Sequence, residues 1–125
     1  NPIACAAALA TLNEMTDANL HAWGTQQEEA IVGRHATWRA NNLTPYLGRL
    51  TGVGAMRGIE LNNTDGSPAP AQLTQLLALA RDAGLLLMPS GKSRHIIRLL
   101  APLTIEATVL EEGLDILEEC LAKLT

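Results

Sequence analysis

The chain has 125 residues, enough for one domain with its own core, and thirteen acids against nine bases leave a net charge of −4. That balance excludes nucleic acid as the main partner, because phosphate binding needs a basic face. No apolar run approaches the ~20 residues of a membrane span and no basic, apolar leader is read, so no membrane partner is expected.

Only Trp23, Trp38 and Tyr46 are aromatic and there is no Phe, so the core must be built from Leu, Ile, Val and Ala. The chain opens on Asn1-Pro2, a favoured helix cap followed by the residue favoured at the first helical position. The run PIACAAALATLNEM then reads as a helix that is apolar on almost every side up to Leu12. Such a helix is expected to be buried, and to pack against material outside this chain. On that basis the chain is expected to be a piece of something longer. Asp17 can cap a second helix running roughly to Ala40, with Ala22, Ala30, Val32 and Trp38 as its apolar stripe. Asn41-Asn42 closes it, and Pro45 blocks a simple continuation.

The segment TGVGAMRGIELNN predicts one strand with a bulge or close backbone contact at its glycines, and NNTDGSPAPA is a loop by composition. Pro70 begins a third helix on Leu73, Leu76, Leu77 and Ala80, and Gly84 stops it. LLLM (85–88) reads as a short apolar strand, PSGKSR as a turn and HIIRLL as the next strand, ended by Pro102. Thr104 caps a final helix carrying Leu110, Leu114, Leu117 and Leu121. Two helices, a strand, a helix, two strands and a helix predict a small sheet covered on one face. The other face must meet solvent or a second domain.

Most candidates for chemistry reduce to structure. Gly52, Gly54 and Gly58 are spaced GxGxxxG inside a strand pattern, whereas a nucleotide fingerprint needs GxGxxG between a strand and a helix. Lys92 lies in a polar turn with nothing to lower its pKa, so it reads as a solvated lysine. His21, His35 and His95 share no metal-ligand spacing, and no metal site is expected. Ser90 lies in PSG rather than in a GxSxG elbow. Cys5 and Cys120 sit in apolar helical patterns, and both are expected to be buried, reduced thiols of a cytosolic protein.

Arg98 is different. Side chains alternate along a strand, so Ile97 and Leu99 share one face while Ile96, Arg98 and Leu100 share the other. An arginine among apolar neighbours is costly to bury unless a carboxylate or phosphate pairs with it, and its planar fork grips a carboxylate with two hydrogen bonds. Three readings follow: an internal ion pair, an edge arginine reaching solvent, or an anion site on the uncovered face of the sheet.

Four stretches carry a family resemblance. NPIACAAALATL resembles the helix after a Gly-Gly-Asn-Pro-type motif in class III aminotransferases, pyridoxal-phosphate enzymes of fold type I. GVGAMRGIEL resembles that family's RGxGxMxGxEL strand, with Thr51 where the family usually has Arg. ARDAGLLLMPSG resembles its late helix, glycine and strand, and HIIRLLAPLTIEATVLEEGLDILEECL is similar to its closing strand, Pro-Leu-Thr-Ile turn and last helix. The likeness runs end to end, in order.

The resemblance implies an α/β (α+β-like) fold: a small, mostly antiparallel sheet covered on one face by helices, with an N-terminal connecting helix. It implies a single C-terminal small domain over 1–125, roughly 1–42 as helical connector and 43–125 as the compact part. It further implies a transaminase moving an amino group from an omega-amino donor such as 4-aminobutyrate to a 2-oxo acid such as 2-oxoglutarate. Diaminobutyrate, acetylornithine and ornithine aminotransferases are alternatives within the family. At the position of Arg98 the family binds the substrate carboxylate. The pyridoxal 5'-phosphate, its Schiff-base lysine, its aspartate and its stacking aromatic belong to a large domain of the same chain. This chain is therefore expected to hold no catalytic and no cofactor-binding residue, to be inactive alone, and to work in the cytoplasm within a homodimer. A non-catalytic small-molecule-binding or interaction module with the same fold is the alternative from another class.

Overall fold

The computed structural model describes residues 1–17 and 19–124, and the side chain of Asp17 lies outside the described residues, so its capping role is not tested. The element order is α1 (Pro2–Asp17), α2 (Leu20–Ala40), β1 (Leu47–Val53), β2 (Met56–Leu61), α3 (Pro70–Asp82), β3 (Met88–Ser90), β4 (Ile96–Leu99) and α4 (Ala107–Ala122). The four strands form one sheet in the order β1-β2-β4-β3, every neighbouring pair antiparallel. β4 lies between β2 and β3, so these two run parallel and α3 joins them across it, as in a split βαβ unit.

The core lies between one face of this sheet and three helices. Ile59 and Leu61 of β2 and Ile97 of β4 are fully buried against Leu73, Leu76 and Ala80 of α3 and Leu114, Leu117 and Leu121 of α4. Ile31 and Trp38 of α2 close the side of the same cluster. Both α3 and α4 thus bury the apolar stripe that their sequence spacing predicts. Trp38 contributes a polar anchor as well, because its Nε1 donates to Glu118 Oε2 at 2.7 Å. Arg34 pairs with Glu111, Asp115 and Glu118, one stripe of α4, and so clamps α2 to α4.

Helix ends follow local chemistry. The Asn1 Oδ1 accepts from the Ile3 N–H at 3.0 Å, as an N-cap should. α2 stops at Asn42, whose φ of 49° lets the Leu43 N–H reach back to the Trp38 carbonyl at 3.0 Å. Gly84 closes α3 in the same manner, with the Leu85 N–H on the Ala80 carbonyl at 2.8 Å.

Four expectations are corrected. The glycine-rich run is not one bulged strand but a hairpin: Val53 pairs with Met56 across a two-residue turn, and Gly54 at φ 58° supplies the positive φ that turn needs. LLLM is not the strand; Leu85 completes the α3 cap, and the strand is Met88–Ser90, where Pro89 is tolerated because β3 is an edge. Thr104 does not cap α4; Pro102 to Ile105 first make a turn of their own, and Glu106 is the cap residue, without a side-chain cap bond. The apolar helix α1, expected to pack against material outside this chain, is exposed along its described length, with Ile3 80% and Leu9 62% accessible. Cys5 on α1 is consequently exposed, whereas Cys120 is buried; both are free thiols.

Candidate functional site

The sheet face opposite the helices carries the charged groups. Register aligns Thr51, Gly58, Arg98 and Met88 in one row across β1, β2, β4 and β3. Alternation puts this row on the face away from Ile59 and Ile97, as the period of a strand requires. Gly58 stands directly beside Arg98 and has no room for a side chain: a Cβ there would lie 2.9 Å from Thr51 Oγ1 and 3.0 Å from Ile96 Cγ2. Thr51 Oγ1 instead donates to the Gly58 carbonyl at 3.1 Å.

Arg98 is exposed, and among the described residues no carboxylate or carbonyl engages its guanidinium. The other arginines sharpen the contrast. Arg34 holds three acids of α4, Arg49 holds Glu60, Arg57 holds Glu28, and Arg39 donates to the Leu47 carbonyl at 2.9 Å. Arg81 pairs with its neighbour Asp82. Only Arg94 shares the unengaged state of Arg98, and Arg94 sits in the exposed turn before β4. Arg98 also borders a cleft of about 510 Å³ whose other walls are almost wholly apolar, including Leu86, Met88, Leu100 and Val109. The cleft extends to the helix side through Ile31, Leu114 and Leu117, and an unengaged fork by itself suits a carboxylate.

Arg49 and Glu60 escape sequence reasoning. Gly48 and Arg49 together oppose Glu60, because β1 slips register between Leu47 and Leu50. This bulge turns Arg49 onto the open face, where Nε donates to Glu60 Oε2 at 3.1 Å and Nη2 to Oε1 at 2.9 Å. The Arg49 hydrogen bonds hold the Glu60 carboxyl below the usual carboxylate range, although desolvation acts in the opposite sense. No periodic pattern announces a bulge; the one available signal is Gly48, whose Cβ would meet the Asn62 side chain and the Glu60 carbonyl within 3 Å.

The remaining candidates are not brought together. His21 is exposed, and His35 is buried with its Nε2 on the Gly48 carbonyl at 3.0 Å. His95 leaves a buried Nδ1 without a partner. Among the described residues no three His, Cys, Asp or Glu side chains cluster as metal ligands. Lys92 is exposed in the Gly91–Arg94 turn, and Ser90 lies in β3. No helix is long and apolar enough to cross a membrane among the described residues.

The site is thus a split antiparallel sheet with helices on one face and an unengaged arginine on the other. The family description aminotransferase class-III matches residues 1–121, and the chain belongs to that family. A 2-aminoadipate transaminase of Pseudomonas putida is 73% identical over 124 residues, which cover 99% of this chain and 30% of that protein. A 4-aminobutyrate aminotransferase of Mycobacterium bovis is 40% identical over 125 residues, 99% of this chain and 27% of the relative. Among solved structures, a phospholyase from Arthrobacter in complex with phosphoethanolamine superposes with a TM-score of 0.84 at 28% identity, covering all of this chain and 30% of its own. An acetylornithine aminotransferase from Elizabethkingia anophelis gives a TM-score of 0.80 at 26% identity over 97% of this chain and 30% of its own. The chain thus spans under a third of the length of the relatives it matches.

The family implies pyridoxal phosphate, and this chain does not fit it. Lys92 and Lys123 are its only lysines, both are exposed, and neither lines the apolar cleft. A lysine that carries the cofactor needs desolvation or a neighbouring cation to be nucleophilic, and these two have no apolar cover. The chemistry of the cofactor is therefore not assigned to residues of this chain.

Proposed function

We propose that this chain is the C-terminal small domain of a pyridoxal-phosphate aminotransferase, and that Arg98 binds the carboxylate of its amino acid and 2-oxo acid substrates. The observation that carries the reading is the unengaged guanidinium of Arg98 on the open face, beside Gly58. Residues 1–42 would be the connector and 43–125 the compact part. The large domain of the same chain would hold the cofactor, which supplies an electron sink for the amino-group transfer. The enzyme would work as a homodimer in the cytoplasm, where free thiols such as Cys5 stay reduced.

In this reading Arg98 does positioning chemistry. Two parallel N–H···O bonds fix both the place and the plane of a carboxylate, so the reacting carbon is presented in one orientation. The overall exchange is balanced: an amino donor becomes the oxo compound while the 2-oxo acid, 2-oxoglutarate in the first instance, becomes the amino acid. The donor is an omega-amine of the 4-aminobutyrate class. The 73% identity to a 2-aminoadipate transaminase favours a second donor, 2-aminoadipate, which also offers a carboxylate to Arg98.

Arg98→Ala in the full-length enzyme tests the reading. The KM for 2-oxoglutarate should rise about 100-fold, the usual cost of losing a charged hydrogen-bonded partner, while cofactor content stays at the wild-type level. An unchanged KM for 2-oxoglutarate overturns the assignment.

A further inference from the structure

The sheet face that leaves Arg98 free also carries an acid that could take it. Gly58 pairs with Arg98 and Glu60 with Ile96, so Glu60 is the diagonal neighbour of Arg98 on the same face. Diagonal neighbours on one face stand about 7–8 Å apart, within reach of long side chains. Gly58 adds no side chain of its own, and the space above it is taken by Thr51 Oγ1 and Ile96 Cγ2. Yet Glu60 turns the other way, into the two-pronged grip of Arg49. Its side chain is only 13% exposed there, while Arg49 is 78% exposed and makes no other recorded contact of charge. The structure therefore spends a surface arginine, and a strand bulge to aim it, on one carboxylate beside the proposed substrate fork.

We propose that Arg49 is a positioning residue whose grip on Glu60 keeps the Arg98 fork free for the substrate carboxylate. Arg49 touches neither substrate nor cofactor; it acts by occupying the competitor. This deepens the reading of Arg98 given above and rests on it. The bulge is the structural means. Without the extra residue at Gly48–Arg49, residue 49 would face the helices with Leu50's neighbours instead of Glu60. Thr51, which stands two residues further on the same face, cannot substitute: its hydroxyl is short, neutral and already committed to the Gly58 carbonyl. If Arg49 is removed, Glu60 is a half-buried carboxylate left with the Asn62 side chain, near His95, and Arg98 is an unengaged cation on its diagonal. An internal ion pair would then compete with substrate, and apparent affinity falls by the fraction of molecules in which Arg98 remains free.

The test uses the full-length holoenzyme and isothermal titration with 2-oxoglutarate. Arg49→Ala should raise the Kd about tenfold if Glu60 holds Arg98 in about nine molecules of ten. Adding Glu60→Gln to Arg49→Ala should restore the wild-type Kd, because a neutral amide cannot hold the fork. A crystal structure of the ligand-free Arg49→Ala protein should show the Glu60 carboxylate on the Arg98 guanidinium, which a mere change in local potential would not produce. A wild-type Kd for Arg49→Ala, a double variant as weak as the single one, or a Glu60 side chain that stays turned from Arg98 each overturns the proposal. Arg98→Ala run in parallel separates the two claims: if it leaves the Kd unchanged, the carboxylate site itself is wrong, and if it alone weakens binding, only the role of Arg49 fails.

Discussion

The two faces of the sheet are built from the same strands and have opposite chemistry. On the covered face Ile59, Leu61 and Ile97 are fully buried, and each is surrounded by Leu and Ala of α3 and α4. On the open face the same strands present Thr51, Gly58, Glu60 and Arg98, with a bulge supplying Arg49. One face satisfies itself, and the other leaves a cation unengaged. The function proposed for Arg98 lies on the open face.

Adjacent residues can therefore be used to break the comparison. Ile97→Ala removes three buried carbons from the centre of the covered face and should cost about 2–5 kcal/mol of unfolding free energy. Substrate affinity of the folded fraction should stay within about twofold. Arg98→Ala, one residue along the strand, should do the reverse, with the denaturation midpoint held and carboxylate binding lost. Urea denaturation alongside titration with 2-oxoglutarate reads both. If Arg98→Ala destabilised the fold as much as Ile97→Ala, the two faces would not be divided as described.

A smaller effect sharpens how the covered side is locked. Glu118 Oε2 accepts both the Trp38 indole N–H at 2.7 Å and Arg34 Nη1 at 3.0 Å. Trp38 is 1% exposed, so Glu118→Ala leaves a buried donor without a partner, at about 1–3 kcal/mol. Glu118→Gln keeps an acceptor oxygen for the indole and should recover about half of that loss. Equal losses for the two variants in thermal melts would show that the charge on Arg34, not the indole bond, is what matters.

What the residue pattern discloses follows the same division. The alternation in HIIRLL is enough to put Ile97 inside and Arg98 outside, because β4 is regular and central. The stripes of α3 and α4 are equally readable. The hairpin at Gly54-Ala55 is not, because β1 departs from alternation: its bulge puts Gly48 and Arg49 opposite one residue, and its end is exposed at Val53. A glycine-rich run without alternation fits a bulge or a turn equally well. The Arg49–Glu60 pair is hidden for the same reason, since its partners face each other only after that register slip. α1 is read only in part from this chain. Its composition reads as buried, but burial is a relation between elements, and none of the described ones covers it.

The smallest effect tests the seam where α2 meets β1, between the two faces. Burial pushes the His35 imidazole down from its ordinary pKa, Arg39 nearby adds to the lowering, and the hydrogen bond to the Gly48 carbonyl opposes them. The fold thus binds fewer protons than the unfolded chain once pH falls below the unfolded histidine value of about 6.5. Stability rises with pH wherever the unfolded state holds more protons. The contribution of His35 is therefore complete above about pH 6.5 and is lost progressively as pH drops through the window down to the lowered folded value. His35→Gln keeps an amide N–H that can donate to Gly48 and removes the titration. Its melting temperature should lie near wild type at pH 8, and its decline from pH 7 to pH 5 should be shallower. Parallel declines for the two proteins would mean that the imidazole takes up its proton without disturbing the seam, and that the Gly48–Arg49 bulge does not depend on a neutral His35.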